Sequence, residues 1–220
     1  LYSIKEIFYT LQGEGAQSGR AAVFCRFSGC NLWSGQEKDR EDSACPFCDT
    51  DFVGVDGHGG GKFPSAMDVA LAIKDRWPSA QVQNGAEDKA TNGQPYVVFT
   101  GGEPLLQLDD ELIAAMHQLG FLVAVETNGS IEPPKNIDWL CVSPKNQMQL
   151  KVTQADELKL LYPQATLVPE DYVHLDFKHF FLQAIDDKNS KKNLKKTLEY
   201  CLQHPQWRIS LQIHKILEIE

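Results

Sequence analysis

Residues 3–10 (SIKEIFYT) alternate apolar and polar side chains, and residues 21–27 (AAVFCRF) are mostly apolar, so the chain opens with two expected strands. Residues 30–62 lose all periodicity and turn polar and Gly-rich. Helical spacing returns over 65–77, with Ser65 placed as N-cap. Residues 78–95 are polar and hold two Asn-Gly pairs, which marks a loop. A short apolar strand over 96–100 (YVVFT), a helix over 108–120 closed by Gly120, and a strand over 121–126 follow. Further strands are expected over 138–142, 157–161, 179–185 and 207–213, with a helix over 193–204. Strands alternating with helices predict an α/β fold with parallel strands and right-handed crossovers. There is no internal repeat.

Length and charge narrow the class. With 220 residues, 42% of them hydrophobic, one domain spanning 1–220 can bury a sizeable core. No stretch reaches the apolar length of a membrane span. A net charge of −9 argues against nucleic acid as a general partner, though not against a local basic pocket. Nothing at the N-terminus reads as a signal peptide, so the six cysteines are expected as thiols in a reducing cytoplasm. Position 1 is Leu, so an initiator Met, and with it a short N-terminal piece, is expected to be missing.

In parallel α/β folds the loops after the C-terminal ends of strands build the active site. Here YVVFT runs into Gly101-Gly102-Glu103-Pro104, the next strand into Glu126-Thr127-Asn128-Gly129, WLCV into Ser143-Pro144-Lys145, and FFL into Gln183. Each alone reads as an ordinary turn. Together they put polar groups at one rim, and the cysteine-bearing loop after residues 21–27 is expected at the same rim.

That loop carries the most specific chemistry. Cys30, Cys45 and Cys48 form C-x14-C-x2-C, and residues 34–42 within the gap hold six charged side chains. Three thiolates can hold three corners of a cubane iron–sulfur cluster and leave one iron open to a small molecule. The x2 pair also suits zinc, with Cys25 or His58 as a fourth ligand, although the second close pair of a structural zinc site is absent. Both readings stay open on the cysteines alone. Two other patterns fail. GHGGGK at 57–62 is followed by Phe63 rather than Ser or Thr, has the wrong glycine spacing for a phosphate loop, and reads as a flexible turn. Asn128-Gly129-Ser130 matches a glycosylation sequon that a cytosolic chain never presents.

Taken together, C-x14-C-x2-C, LQGEG (11–15), CDT (48–50), GGEP, ETNG, VSPK (142–145) and WRISLQIHK (207–215) resemble the 7-carboxy-7-deazaguanine synthases, radical S-adenosylmethionine enzymes of a long-insert type, over essentially the whole chain. The usual spacing of that superfamily is C-x3-C-x2-C, and the longer gap is the departure that marks this type. The resemblance implies a partial, open (β/α) barrel, with the 31–44 insertion over the cluster either shielding it or docking a reductant. It implies a [4Fe–4S] cluster on Cys30, Cys45 and Cys48, S-adenosylmethionine on the open iron, and magnesium with Thr50 as a ligand. Cofactor contacts are expected from Phe47, Cys48, Asp49 and Gly102, from Ser143, Pro144 and Lys145, and from Gln183, Ala184, Ile185 and Asp186. The implied substrate is 6-carboxy-5,6,7,8-tetrahydropterin. Leu11, Gln12 and Gly13 would read its edge, Arg26 would pair with its carboxylate, and Thr100, His214 and the terminal carboxylate of Glu220 would add polar contacts. Glu14 and Glu126 are further acceptors. Hydrogen abstraction at the pterin C6, ring contraction and loss of ammonia would follow, serving queuosine and other deazapurines. A homodimer and a flavodoxin-type reductant are implied as partners. Two alternatives stand beside this: an activase of glycyl-radical enzymes, which would need the short cysteine spacing, and a zinc-stabilised binding module without catalysis.

Overall fold

A computed structural model describes residues 1–78, 93–145 and 149–219. The loop expected over 78–95 falls almost wholly outside them.

The first apolar segments pair with each other before any parallel strand forms. β1 (Tyr2–Leu11) runs antiparallel to β2 (Ala21–Phe27), and its other edge takes β3 (Gly61–Phe63), also antiparallel. All later strands join in parallel: β4 (Tyr96–Gly101), β5 (Leu122–Thr127), β6 (Trp139–Val142), β7 (Gln154–Tyr162), β8 (Asp176–Ala184) and β9 (Trp207–Ser210). Among the described residues nine strands lie in the order β3-β1-β2-β4-β5-β6-β7-β8-β9, with β3 and β9 at the edges, and the barrel is open.

Helices cover one face of the sheet. α1 (Ala66–Lys74) is started by Ser65, whose hydroxyl accepts from the Asp68 amide while the Asp68 carboxylate accepts from the Ser65 amide. α2 (Asp110–Gln118) begins two residues later than its apolar spacing suggests, because Asp109 caps the Leu112 amide. Gly120, at φ 80°, closes it in a conformation that only glycine takes freely. α3 (Ser190–Gln203) packs on β8 and β9. The main core lies between these helices and the sheet: Val23, Cys25 and Phe27 of β2, Val97 and Phe99 of β4, and Val123 and Val125 of β5 meet Val69, Ile73, Leu112 and Met116.

Three expectations are corrected. Strand–helix alternation holds only in part, since among the described residues no α-helix joins β5 to β6, β6 to β7, or β7 to β8. Pro133, Pro134, Pro163 and Pro169 in the first and last of these connections deny the backbone N–H groups a helix needs. The last strand stops at Ser210, and residues Ile213–Leu217 form the short helix α4. The 57–62 glycines do not form a free turn but lie along β1, with the Gly57 amide donating to the Lys5 carbonyl and the Ile7 amide to that of His58. A Cβ on Gly60 would meet the Lys5 oxygen at 2.2 Å.

Candidate active site

Alternation along the strands sends every second side chain to the face that the helices leave uncovered. On β2 this face receives Phe24 and Arg26, on β4 Thr100, on β5 Glu126, on β7 Lys159 and Leu161, and on β8 Gln183. They surround a cavity of ≈ 430 Å³ at the C-terminal ends of the parallel strands. The loops predicted to share one rim do share it: Gly102, Thr127, Asn128, Ser143 and Lys145 line the cavity, as do Cys30, Cys45 and Cys48.

Glu103 ties three of these loops together. It is fully buried, accepts from the Leu105 amide and the Thr127 hydroxyl on one oxygen and from the Asn128 amide on the other, and its own amide donates to the Gly29 carbonyl. Burial pushes its carboxyl pKa up, partly offset by those donors. Asn128 in turn donates to Asn31 at 3.0 Å and fixes the start of the cysteine loop. Gly102 is required here: a Cβ would stand 2.3 Å from the Gly29 oxygen and 2.6 Å from the Cys30 Cβ.

The three thiols face one space. The Cys30 sulfur accepts from the Leu32 amide at 3.4 Å, and the Cys48 amide donates to the Cys45 carbonyl at 3.2 Å. The Cys45 and Cys48 side chains hydrogen-bond each other, which pulls the Cys48 thiol down to about 6 and pushes Cys45 up. The Thr50 amide and the Lys145 ammonium add to the thiolate character of Cys48. Cys25 points to the opposite face of β2 into the core, and His58 lies 3.0 Å from Arg76, so neither can complete a zinc site with these three. Among the described residues no three His, Cys, Asp or Glu side chains are grouped as a single metal ion requires. A cubane cluster, by contrast, spreads its cysteines over separate irons, and three pocket-facing thiols with a donor-rich backbone fit such a group.

The opposite wall is polar and tightly paired. Lys159 donates to Glu14 at 2.6 Å and to Glu126 at 3.2 Å. Gln183 and Gln212 donate to the other Glu14 oxygen, and Gln12 donates to Glu126 at 2.8 Å. Burial alone would raise the Glu14 pKa; the Lys159 charge and these donors outweigh it and hold the carboxylate at about 2. Lys159 loses hydration as well, but Glu126 and Glu14 keep it firmly protonated. Beneath it Glu157 accepts from the Ala16 amide at 2.9 Å, and burial raises its carboxyl pKa.

The other predicted positions are placed as follows. Phe47, Asp49, Thr50, Leu11, Gly13, Ala184, Ile185, Asp186 and His214 line the cavity, whereas Pro144 does not. Gly13 lets the His214 ring pack where a Cβ would stand 2.1 Å from Nδ1. Arg26 lines the cavity but is held at 2.7 Å by Glu6. Lys215 bridges Asp49 at 3.0 Å and Asp186 at 2.7 Å. Glu220 lies outside the described residues. Sequence reasoning missed Lys159 and Glu157; two charged residues two apart in an apolar strand were the available signal.

Three thiols in one pocket at the C-terminal rim of an open, mostly parallel α/β sheet are the setting that a radical S-adenosylmethionine enzyme needs. No family model matches it. The chain is 56% identical to 7-carboxy-7-deazaguanine synthase of Bordetella pertussis, covering 99% of each, and 54% identical to that of Caulobacter vibrioides, covering 98% of each. The synthase of Bacteroides thetaiotaomicron is 38% identical, over 98% of this chain and 97% of its own length. The fold matches the crystal structure of QueE from Escherichia coli with a TM-score of 0.64, at 24% identity, covering 96% of this chain and 93% of that one. The chain belongs to the 7-carboxy-7-deazaguanine synthase family.

Proposed function

We propose that this enzyme converts 6-carboxy-5,6,7,8-tetrahydropterin to 7-carboxy-7-deazaguanine with loss of ammonia, as a step toward queuosine and related deazapurines. The observation that carries the reading is one cavity with three thiols on one wall and the Gln12–Glu14–Glu126–Lys159 array on the other. When bound, a [4Fe–4S] cluster with S-adenosylmethionine on its open iron supplies a 5′-deoxyadenosyl radical that removes hydrogen from the substrate.

The chain's residues hold and orient. Cys30, Cys45 and Cys48 would ligate the cluster. The Gly102 backbone, Ser143, Lys145 and the 183–186 segment line the wall where S-adenosylmethionine would lie. Glu14 stays ionised because Lys159 neutralises it, so it can accept N–H bonds from the pterin edge. Arg26, already oriented by Glu6, offers its remaining N–H groups to a carboxylate. Thr50 would give magnesium one hydroxyl oxygen, the rest coming from water and substrate. Its neighbour Asp49 is engaged by Lys215, and Asp51 by Lys5 at 2.9 Å.

Six unpaired cysteines support a reducing cytoplasmic setting. A homodimer and a flavodoxin-type reductant complete the reading on family grounds. The test is anaerobic reconstitution with iron and sulfide, followed by incubation with S-adenosylmethionine, reductant, magnesium and the carboxy-tetrahydropterin. Mass spectrometry is expected to find 7-carboxy-7-deazaguanine. Formation of 5′-deoxyadenosine without that product would overturn the substrate and keep the radical chemistry.

A further inference from the structure

The 31–44 insertion folds back on the turn it delivers. It contains a short 3-10 helix, Glu37–Asp39, followed by Arg40. The Arg40 guanidinium makes three kinds of contact at once. Its Nη1 donates to the Pro46 carbonyl at 3.0 Å and to the Cys48 carbonyl at 2.9 Å. Its Nε donates to Glu37 at 2.8 Å. Its plane lies 4.3 Å from the centre of the Trp33 ring. Trp33 is itself fixed: the indole nitrogen donates to the Gln36 carbonyl at 3.2 Å, and the ring meets Phe52 edge-on at 5.6 Å.

The stereochemistry is specific. A terminal guanidinium nitrogen carries two N–H groups in one plane, and here two carbonyls flank it, both from the Cys45–Cys48 turn. With these carbonyl oxygens turned toward Arg40, the Cys48 sulfur is left to the Thr50 amide. The charge of Arg40 is matched locally by Glu37, so the geometry of the fork is what it contributes.

We infer that Arg40 is a positioning residue of the metal site: seated on Trp33 and Glu37, it clamps the Pro46 and Cys48 carbonyls and holds the 45–48 turn in its cluster-binding form. The long insertion is thereby a splint for its own cysteines. This rests on the cluster reading given above, but it makes a claim about the iron-free chain as well.

The test compares wild type, Arg40→Gln and Arg40→Lys as full chains, with and without anaerobically reconstituted iron and sulfide. In the iron-free chains, amide hydrogen exchange over residues 47–50 is expected to quicken about tenfold in Arg40→Gln, while amides of the central strands do not change. In the loaded chains, iron loss to a ferrous chelator is expected to quicken in the same order. Lysine keeps the charge but lacks the planar face and the Nε–H, so Arg40→Lys should follow Arg40→Gln in both readouts. Identical exchange and iron retention in Arg40→Gln and wild type would overturn the clamp. Wild-type behaviour of Arg40→Lys would overturn the fork and leave charge as the cause. Failure of the wild type to take up iron would overturn the cluster reading, and the amide comparison would still decide the clamp.

Discussion

Lys159 Nζ lies 2.6 Å from Glu14 Oε2, joining the middle of β7 to a loop 145 residues earlier in the chain. Both side chains are largely shielded, at 4% and 16% exposure, so water does little to screen the pair. The bond is the centre of the polar wall, because Lys159 also reaches Glu126.

Replacing Lys159 with Met keeps the bulk and removes the charge, leaving Glu14 and Glu126 facing each other. The variant is expected to lose about 3 kcal/mol of stability, as breaking a buried pair does. Thermal or urea unfolding of the apo chain checks this. Substrate affinity should fall more than cofactor cleavage, which separates a role in this wall from a role at the cysteines.

The same pair sets a pH window. Glu14 is depressed in the folded chain from 4.5 to about 2, so its contribution is present above about 4.5 and is lost as pH falls from there toward about 2. Lys159 is raised, so its contribution is present below its ordinary value and is lost only as pH climbs beyond it. Glu103 and Glu157 are raised and act in the opposite sense at low pH, so the absolute curve mixes signs. The difference in stability between wild type and Lys159→Met isolates the pair. It should be largest near pH 9 and begin to shrink well above pH 4.5, because without Lys159 burial raises the Glu14 carboxyl of the variant, and it shrinks further as the wild-type pair is lost below about 4.5.

Glu103→Gln places an N–H₂ group where both oxygens now accept. Either the Asn128 amide or the Thr127 hydroxyl and Leu105 amide would then face a donor. A cost of about 2 kcal/mol is expected from the unfolding midpoint. The start of the cysteine loop should loosen with it, seen as weaker retention of reconstituted iron.

Gly102→Ala pushes directly on Cys30, because its Cβ would stand 2.6 Å from that residue's Cβ. Iron uptake should drop together with about 2 kcal/mol of stability, the usual scale of an overpacked site. Normal iron content in a stable Ala variant would show that the loop can yield.

Cys30→Ala, Cys45→Ala and Cys48→Ala are each expected to abolish cofactor cleavage, with iron content falling well below the wild-type value. Cys201→Ala, on α3 and away from the cavity, serves as the control. Retained 5′-deoxyadenosine formation in any of the three would overturn the ligand assignment.

The rim was legible because each of its pieces is a local string. Gly-Gly-Glu-Pro directly follows the mostly apolar run Tyr96–Thr100, and a parallel strand can end only where its ladder ends. The cysteine spacing is equally local. What escaped was register. Lys159 looks like a solvent-facing residue of a half-buried strand until pairing with Phe181 of β8 turns it inward toward Glu14. The Glu6 partner of Arg26 was equally hidden, because nothing in the neighbourhood of Arg26 shows that β1 lies antiparallel beside it with Glu6 in reach. Strand–helix alternation lapses after β5 and β7 for a simpler reason, since proline count outweighs any topological habit.

The loop between β1 and β2 donates its Gly15 amide to Ser210, 195 residues on, and Glu14 accepts from Gln212, 198 residues on. The site therefore closes only when segments nearly two hundred residues apart in the chain meet. During synthesis the sheet can assemble strand by strand, yet the chamber stays unroofed until residues 210–212 have emerged from the ribosome. Cofactor loading is thus tied to the arrival of this late segment, and a chain stopped before Ser210 would leave Glu14 and Gly15 without the partners that hold their loop in the chamber wall.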